Sequence, residues 1–312
     1  MDERFKFKFD IYQRRFKYPL RTSYGVWKVR EGIIISLEDR AGKVAQGEIA
    51  PLSWFGSETM TQALEFCQHL GKIITVADIA AIPDRLPACQ FAFESAWLDL
   101  IQAQDNRQPD DLDYCYLLPA GEQALTTWQE IYQTQSATTF KWKIGVYPLA
   151  TEIEILQQLV SILPPQTKLR LDANGGLNLQ QARKLLEVTD TLKAIEFVEQ
   201  PLPPNNFAEI LQLSQEYSTS LALDESVASY EQLKYVYQRG WRGVFVIKAA
   251  IMGFPSKLNK FCQDNSLDIV FSSVFETKIG RCAILKLAQK LYHPRAVGFG
   301  VNHLLNDSAS KL

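Results

Sequence analysis

Residues 168–176 read KLRLDANGG, and the fold turns on how that run is understood. Leu169 and Leu171 alternate with Arg170 and Asp172, the period of two of a strand with one apolar and one polar face. The segment Asp172 to Gly175 then stops the strand, because Asp, Asn and Gly favour turns. Similar short apolar runs recur at 112–119 (LDYCYLLP), 138–145 (TTFKWKIG), 195–202 (IEFVEQPL), 220–226 (SLALDES), 243–250 (GVFVIKAA), 268–275 (DIVFSSVF) and 296–300 (AVGFG). Amphipathic stretches of helical period separate them, for instance Leu149 to Leu163 and Leu179 to Val188. Eight strands alternating with helices predict an α/β fold, a TIM-like (β/α) barrel rather than a sandwich. Roughly 190 residues is compact for such a barrel but enough when loops are short. A doubly wound open sheet is the alternative, although no Gly-rich phosphate loop follows the first strand.

The first hundred residues have a different texture. Phe5, Phe7, Phe9 and Ile11 alternate with Lys6, Lys8 and Asp10, as in a half-buried strand. Residues 32–52 predict two more strands joined by a turn near Arg40 to Gly42. Helical spacing follows from Ser57 to Leu70 and again from Ala88 to Gln104. The polar loop at 102–111 (QAQDNRQPDD) then marks a boundary, giving an α+β domain over 1–104 and the barrel over 105–300. A tail over 301–312 is expected to pack back on the first domain.

Composition excludes several classes. The chain has 312 residues, 46% of them hydrophobic and 22% charged, which rules out a disordered, collagenous or disulfide-built protein. Thirty-three basic residues against 35 acidic ones leave a formal charge of -2, so neither nucleic acid nor an anionic membrane is an expected partner. No apolar stretch approaches the roughly 18 residues of a membrane span. The opening MDERFKFKFD lacks the apolar core of a signal peptide, so a cytoplasmic protein, monomeric or a small homo-oligomer, is expected. Five cysteines without a C-x-x-C fit reduced thiols, and three histidines argue against a zinc site or a His-based triad.

The inward side of the predicted barrel strands carries charge. Lys141 and Lys143 share a side, as do Arg170 and Asp172, while Phe140, Trp142 and Ile144 face the helices. Asp172, Glu199, Asp224 and Lys248 follow one another at intervals of roughly one βα unit, so they converge on one mouth. Each has an ordinary explanation when taken singly. D-A-N-G is a common strand-ending turn, D-E-S a helix cap, and K-W-K an edge that resists aggregation. Lys248 resists that treatment, since it follows Val-Phe-Val-Ile in a strand that should be buried, where an unpaired ammonium is costly. Five independent turns have no reason to share one register. Three carboxylates without histidine make a hard oxygen site suited to Mg²⁺, with Mn²⁺ as a substitute. Lysines flanking such an ion suit abstraction of a proton α to a carboxylate, the ion stabilising the enediolate. The surplus of positive charge calls for a small anionic substrate.

In this order and on these strands, K-x-K, D-x-N-G, E-Q-P, D-E-S and V-x-K resemble the enolase superfamily, in its branch of muconate-lactonizing and o-succinylbenzoate-forming enzymes. Sites of that superfamily use a lysine or histidine base with Mg²⁺. The resemblance implies a modified (β/α)7β barrel with an N-terminal α+β capping domain. It makes Asp172, Glu199 and Asp224 the Mg²⁺ ligands and Lys143 and Lys248 the catalytic lysines, with Lys141, Arg170 and Asn174 in support. In its compact chain, L-R-L-D-A-N-G-G and F-S-S-V-F-E-T the sequence resembles the o-succinylbenzoate-forming members, and the resemblance implies dehydration of 2-succinyl-6-hydroxy-2,4-cyclohexadiene-1-carboxylate, a dicarboxylate, to 2-succinylbenzoate, on the route to menaquinone or phylloquinone. Relatives with the same lysines racemise N-succinylamino acids or epimerise dipeptides. The epimerases' D-x-D motif is missing from Gly298 to His303, and His303 reads as structural. The resemblance also sets Tyr24, Trp27, Trp54 and Phe55 in loops over the substrate, or as glue between cap and barrel. Ser272 and Ser273 are placed to bind the distal carboxylate, or to cap the following helix.

Overall fold

Aromatic alternation at the start of the chain builds a sheet whose two ends are buried on opposite faces. The computed structural model describes residues 3–22, 25–101, 112–291, 295–301 and 304–305. Strand β1 (Arg4–Thr22) pairs antiparallel with β2 (Gly25–Glu38), and β2 with β3 (Val44–Ile49). Phe5 and Phe7 turn toward α3 (Pro87–Ile101), where Phe7 meets Phe93 at 5.3 Å between ring centres. Further along β1 the other face is buried, Tyr12 against Glu48 of β3 and Phe16 against Phe275 of a barrel loop. Ile11, expected inside, is therefore 52% exposed: it lies beyond the helices its face would need. Gly47 on β3 is obligatory, because a Cβ there would stand 2.0 Å from the Ala92 carbonyl oxygen of α3. Helix α1 (Met60–His69) begins with a Thr59–Gln62 capping box. Strand β4 (Ile73–Thr75), paired with β1, and helix α2 (Val76–Ala80) are too short to show a period in sequence.

The second sheet has eight parallel strands among the described residues: β5 (Tyr114–Leu118), β6 (Thr139–Lys143), β7 (Lys168–Asp172), β8 (Ile195–Glu199), β9 (Leu221–Leu223), β10 (Val244–Ile247), β11 (Ile269–Phe271) and β12 (Val297–Gly300). Their order follows the chain, β12 pairs with β5, and a Ser272–Gly298 bridge closes the ring. Among the described residues seven α-helices connect them: α4 (Ala124–Gln135), α5 (Leu149–Ile162), α6 (Leu179–Thr189), α7 (Phe207–Glu216), α8 (Tyr230–Gln238), α9 (Pro255–Asp264) and α10 (Lys278–Lys290). This is the expected (β/α)7β barrel, not a doubly wound sheet. Phe140, Trp142, Leu169, Leu171 and Ile247 join the main core under the helices, while Phe197, Ala222, Val244, Val246 and Val270 fill the barrel itself.

Two buried glutamates of the first hundred residues hold the barrel by its helix N-termini, where a carboxylate satisfies free N–H groups and the helix dipole. Glu48 accepts from the backbone N–H groups of Thr277 and Gly280 at α10, and from the Tyr12 hydroxyl. Glu94 accepts from Ser256 N–H and its hydroxyl at α9, at 2.8 and 2.7 Å. Past β12, Leu305 bridges Phe16 of β1. The 102–111 loop with its proposed boundary lies outside the described residues, as do 302–303 and 306–312 of the tail.

Candidate active site

The mouth is assembled by strand register. Lys143 pairs with Asp172 and Asp172 with Glu199 across neighbouring strands, so three charged side chains stand abreast. Asp224 and Lys248 follow directly on β9 and β10. Lys141 reaches between two carboxylates, 2.9 Å from Asp172 and 2.7 Å from Glu199. Lys248 is ion-paired with Asp224, and its Nζ lies 3.9 Å from the centre of the Phe55 ring. Lys143 differs: among the described residues its ammonium makes no hydrogen bond or ion pair. All of these groups line one cavity of about 270 Å³.

The turn after β7 is both a turn and part of the site. Asn174 and Gly175 take consecutive left-handed conformations, φ +45° and +70°, which Asn and Gly tolerate. A side chain at Gly175 would also press on Pro203, 3.1 Å away. Asn174 thereby donates its backbone N–H to Asp172 and its side-chain amide to Glu225.

Electrostatics at the mouth are unbalanced toward negative charge. Burial, and then the charge of Asp172, pushes Glu199 up to about 8. Burial and the neighbouring Asp224 and Asp172 push Glu225 up to about 7, and its Oε2 is buried without a hydrogen-bond partner. Burial alone would lower Lys141, but Asp172, Glu199 and Asp224 outweigh it and hold it well above the ordinary lysine value. Burial would likewise raise Asp172, and Lys141 reverses that, keeping it low.

Two of the expected side chains, Arg170 and Ser273, also have partners of their own. Arg170 borders the cavity as its inward position predicts, and its charge is matched by Glu196 at 2.6 Å on the barrel floor. The reason is a bulge: Leu169 pairs with Ile195 but Arg170 with Phe197, so the extra residue Glu196 is turned to face Arg170. Ser272 and Ser273 both border the cavity, and Ser273 is also engaged within its own loop. The Ser273 hydroxyl donates to Glu276 and accepts from Phe275 N–H.

The roof comes from the first hundred residues. Trp27 packs on Trp54 at 4.9 Å, on Phe16 at 4.8 Å and on Phe275 at 5.4 Å, and Trp27, Trp54, Phe55 and Phe275 all border the cavity. The aromatic group therefore covers the cavity and joins the two parts at once. Tyr24 and His303 lie outside the described residues. Sequence reasoning did not single out Glu225 or Gln200. Glu225 was read as helix-cap material, and the left-handed backbone of Gln200 leaves no mark in a hydropathy pattern.

Comparison with known proteins gives a consistent picture. Residues 123–302 match the family described as Enolase C-terminal domain-like, and residues 15–100 match MenC, N-terminal domain. The chain is 41% identical over 302 residues to an o-succinylbenzoate synthase of Thermosynechococcus vestitus, covering 95% of this chain and 92% of that protein. A crystal structure of o-succinylbenzoate synthase from Thermosynechococcus elongatus, complexed with Mg in the active site, superposes with a TM-score of 0.90 at 40% identity, covering 96% and 93% of the two chains. An L-Ala-D/L-Glu epimerase of Bacillus subtilis is 27% identical over 300 residues, 88% of this chain and 80% of that one.

Proposed function

This chain belongs to the enolase superfamily, and from that premise we propose that it catalyses the o-succinylbenzoate synthase reaction of menaquinone or phylloquinone synthesis. The substrate is a small anionic dicarboxylate, 2-succinyl-6-hydroxy-2,4-cyclohexadiene-1-carboxylate, which loses water to give 2-succinylbenzoate. The protein works in the cytoplasm as a monomer or small homo-oligomer, with a cap over 1–104, a barrel over 105–300 and a tail over 301–312. Among the described residues no helix is long and apolar enough to cross a membrane.

The donor set fits Mg²⁺. Three buried carboxylates offer hard oxygen ligands, and the unpartnered Glu225 Oε2 beside them marks a deficit of positive charge. As the side chains stand, no three such groups among the described residues converge on one point, Lys141 lying between Asp172 and Glu199. Asp172, Glu199 and Asp224 would hold the ion. When bound, it supplies positive charge opposite a carboxylate that gains a second negative charge as its α-proton leaves.

The observation that carries the role assignment is the asymmetry of the lysines. Lys143, unpaired and open to the cavity, takes the α-proton on Nζ and returns it to the departing hydroxyl. One C–H and one C–O bond break, a ring double bond forms, and water leaves. Lys248 stands on the strand half-way round the barrel, fixed on Asp224 and under Phe55, and balances the anion from the other ring face. The Ser272–Ser273 segment meets the distal carboxylate, and Trp54 closes over it. Purified protein with Mg²⁺ and the cyclohexadiene acid should develop aromatic absorbance, and EDTA should abolish it. Full turnover after EDTA treatment would sink the metal assignment. Rapid α-deuterium exchange into both enantiomers of an N-succinylamino acid in D₂O would instead favour a racemase.

A further inference from the structure

Gln200 sits directly after Glu199, is wholly buried, and holds an unusual backbone conformation for a non-glycine residue, φ +38°. Such conformations persist only where the surroundings over-determine them. Here every polar group of the residue is engaged. Its side-chain amide donates to the Leu202 carbonyl at 2.9 Å and to the Ser226 hydroxyl at 2.8 Å. Its amide oxygen accepts from the backbone N–H groups of Asp224 and Ser226, both at 3.1 Å. Its own N–H donates to Ala222, and its carbonyl accepts from Gly175 N–H at 2.7 Å. An amide has two donors and a two-lone-pair acceptor, so nothing is left unsatisfied and nothing is left for a ligand.

Those partners belong to the three segments that carry the carboxylates. Gly175 closes the turn after Asp172, Gln200 follows Glu199, and Asp224 and Ser226 begin the segment after β9. We infer that Gln200 is a positioning residue that fixes the spacing of Asp172, Glu199 and Asp224, acting on the last through its backbone N–H. This rests on the reading of those carboxylates as Mg²⁺ ligands. A group that orients ligands without touching the ion costs roughly 10- to 100-fold in metal affinity when removed.

The test is Mg²⁺ binding to the whole protein by titration calorimetry, beside circular dichroism and melting temperature. Gln200→Met keeps length and burial but removes all four side-chain bonds. It should weaken Mg²⁺ binding roughly 10- to 100-fold, with the secondary structure intact. Turnover should partly recover at high Mg²⁺. Ser226→Ala removes a single partner and serves if the first variant does not fold. It should weaken Mg²⁺ binding by several-fold. A residue that merely stabilised the fold would lower the melting temperature and leave Mg²⁺ affinity alone. Folded Gln200→Met, or failing that Ser226→Ala, binding Mg²⁺ within twofold of wild type overturns the inference while leaving the metal reading standing. Wild-type protein that binds no Mg²⁺ overturns both.

Discussion

Two charged clusters lie inside the same barrel, and they are built to opposite ends. On the floor, Arg170 meets Glu196, Glu196 meets Arg295, and Arg295 grips Asp268 with two bonds at 2.7 and 2.8 Å. Burial works against ionising Glu196, but Arg170 and then Arg295 outweigh it and hold the carboxyl below its ordinary range. At the mouth, about two residues further along the same strands, carboxylates outnumber the ammonium groups that touch them, and Glu199 is pushed up to about 8. On the floor two carboxylates, Glu196 and Asp268, meet two guanidinium groups, Arg170 and Arg295, so the charge is balanced. The mouth lacks positive charge that its own residues do not supply, and this distinguishes a binding site from a structural ion pair.

Mutations should separate the two clusters. The largest effect belongs to Lys143→Ala, which should lower turnover by roughly 10⁴-fold, the upper range for a lost acid–base group, without changing the melting temperature. Lys248→Arg keeps the charge while displacing it, and should leave some activity. An active Lys143→Ala beside a dead Lys248→Arg would reverse the assignment.

Glu196→Gln and Glu199→Gln make the matched pair. Removing one partner of a buried ion pair leaves the other charge uncompensated, so Glu196→Gln should destabilise the protein by about 3 kcal/mol while sparing much of the activity per folded molecule. Glu199→Gln removes a carboxylate from a crowded group. Metal-free, it should melt no lower than wild type, yet turnover and Mg²⁺ affinity should collapse. Equal losses of stability in both variants would erase the distinction between floor and mouth.

The pH dependence of stability should divide similarly. Beside the mouth, burial pushes Glu276 up to about 7, above its ordinary 4.5. The folded form thus binds that proton more tightly than the unfolded chain. Its contribution is fully present below about pH 4.5 and is lost as pH rises toward 7. Glu196 runs the other way, contributing above its ordinary range and losing that contribution as pH falls through its depressed value. Glu276→Gln should flatten the decline between pH 4.5 and 7, by about 2–3 kcal/mol at most. A decline of unchanged size after the substitution would show that Glu276 carries no part of it, leaving it to Glu199 and Glu225, which burial also pushes up.

The smallest effect is expected at the roof. Trp54 is 36% exposed and packs on Trp27, so Trp54→Ala should raise KM several-fold and cost about 1 kcal/mol of stability. An unchanged KM with a lowered melting temperature would make it glue alone.

Much of this was legible before any coordinates. The inward set Lys141, Lys143, Asp172, Glu199, Asp224 and Lys248 follows from strand period and unit spacing, and the structure gathers all six around one cavity. Three features escaped the pattern, each for its own reason. Glu196 was lost because one bulge reverses the alternation on which face assignment depends. Ile11 was placed inside because alternation says which residues share a face, not where along the strand that face is covered. The engagement of Ser273 with Glu276 depends on a loop, where no period exists to read.

Sequence alone therefore determined the barrel, the order of its strands and which strand ends carry charge, because each is written in local, periodic patterns. Which charges pair with one another was decided by tertiary structure. That Arg170 is neutralised, that Lys143 is unpaired while Lys248 lies under Phe55, and that Gln200 ties three segments together all depend on contacts between residues far apart in the chain. Shifts of one or two ångströms decide whether such groups bond or stand apart, because a hydrogen bond or ion pair is lost over that distance. A pattern of residue types carries no record of so small a displacement.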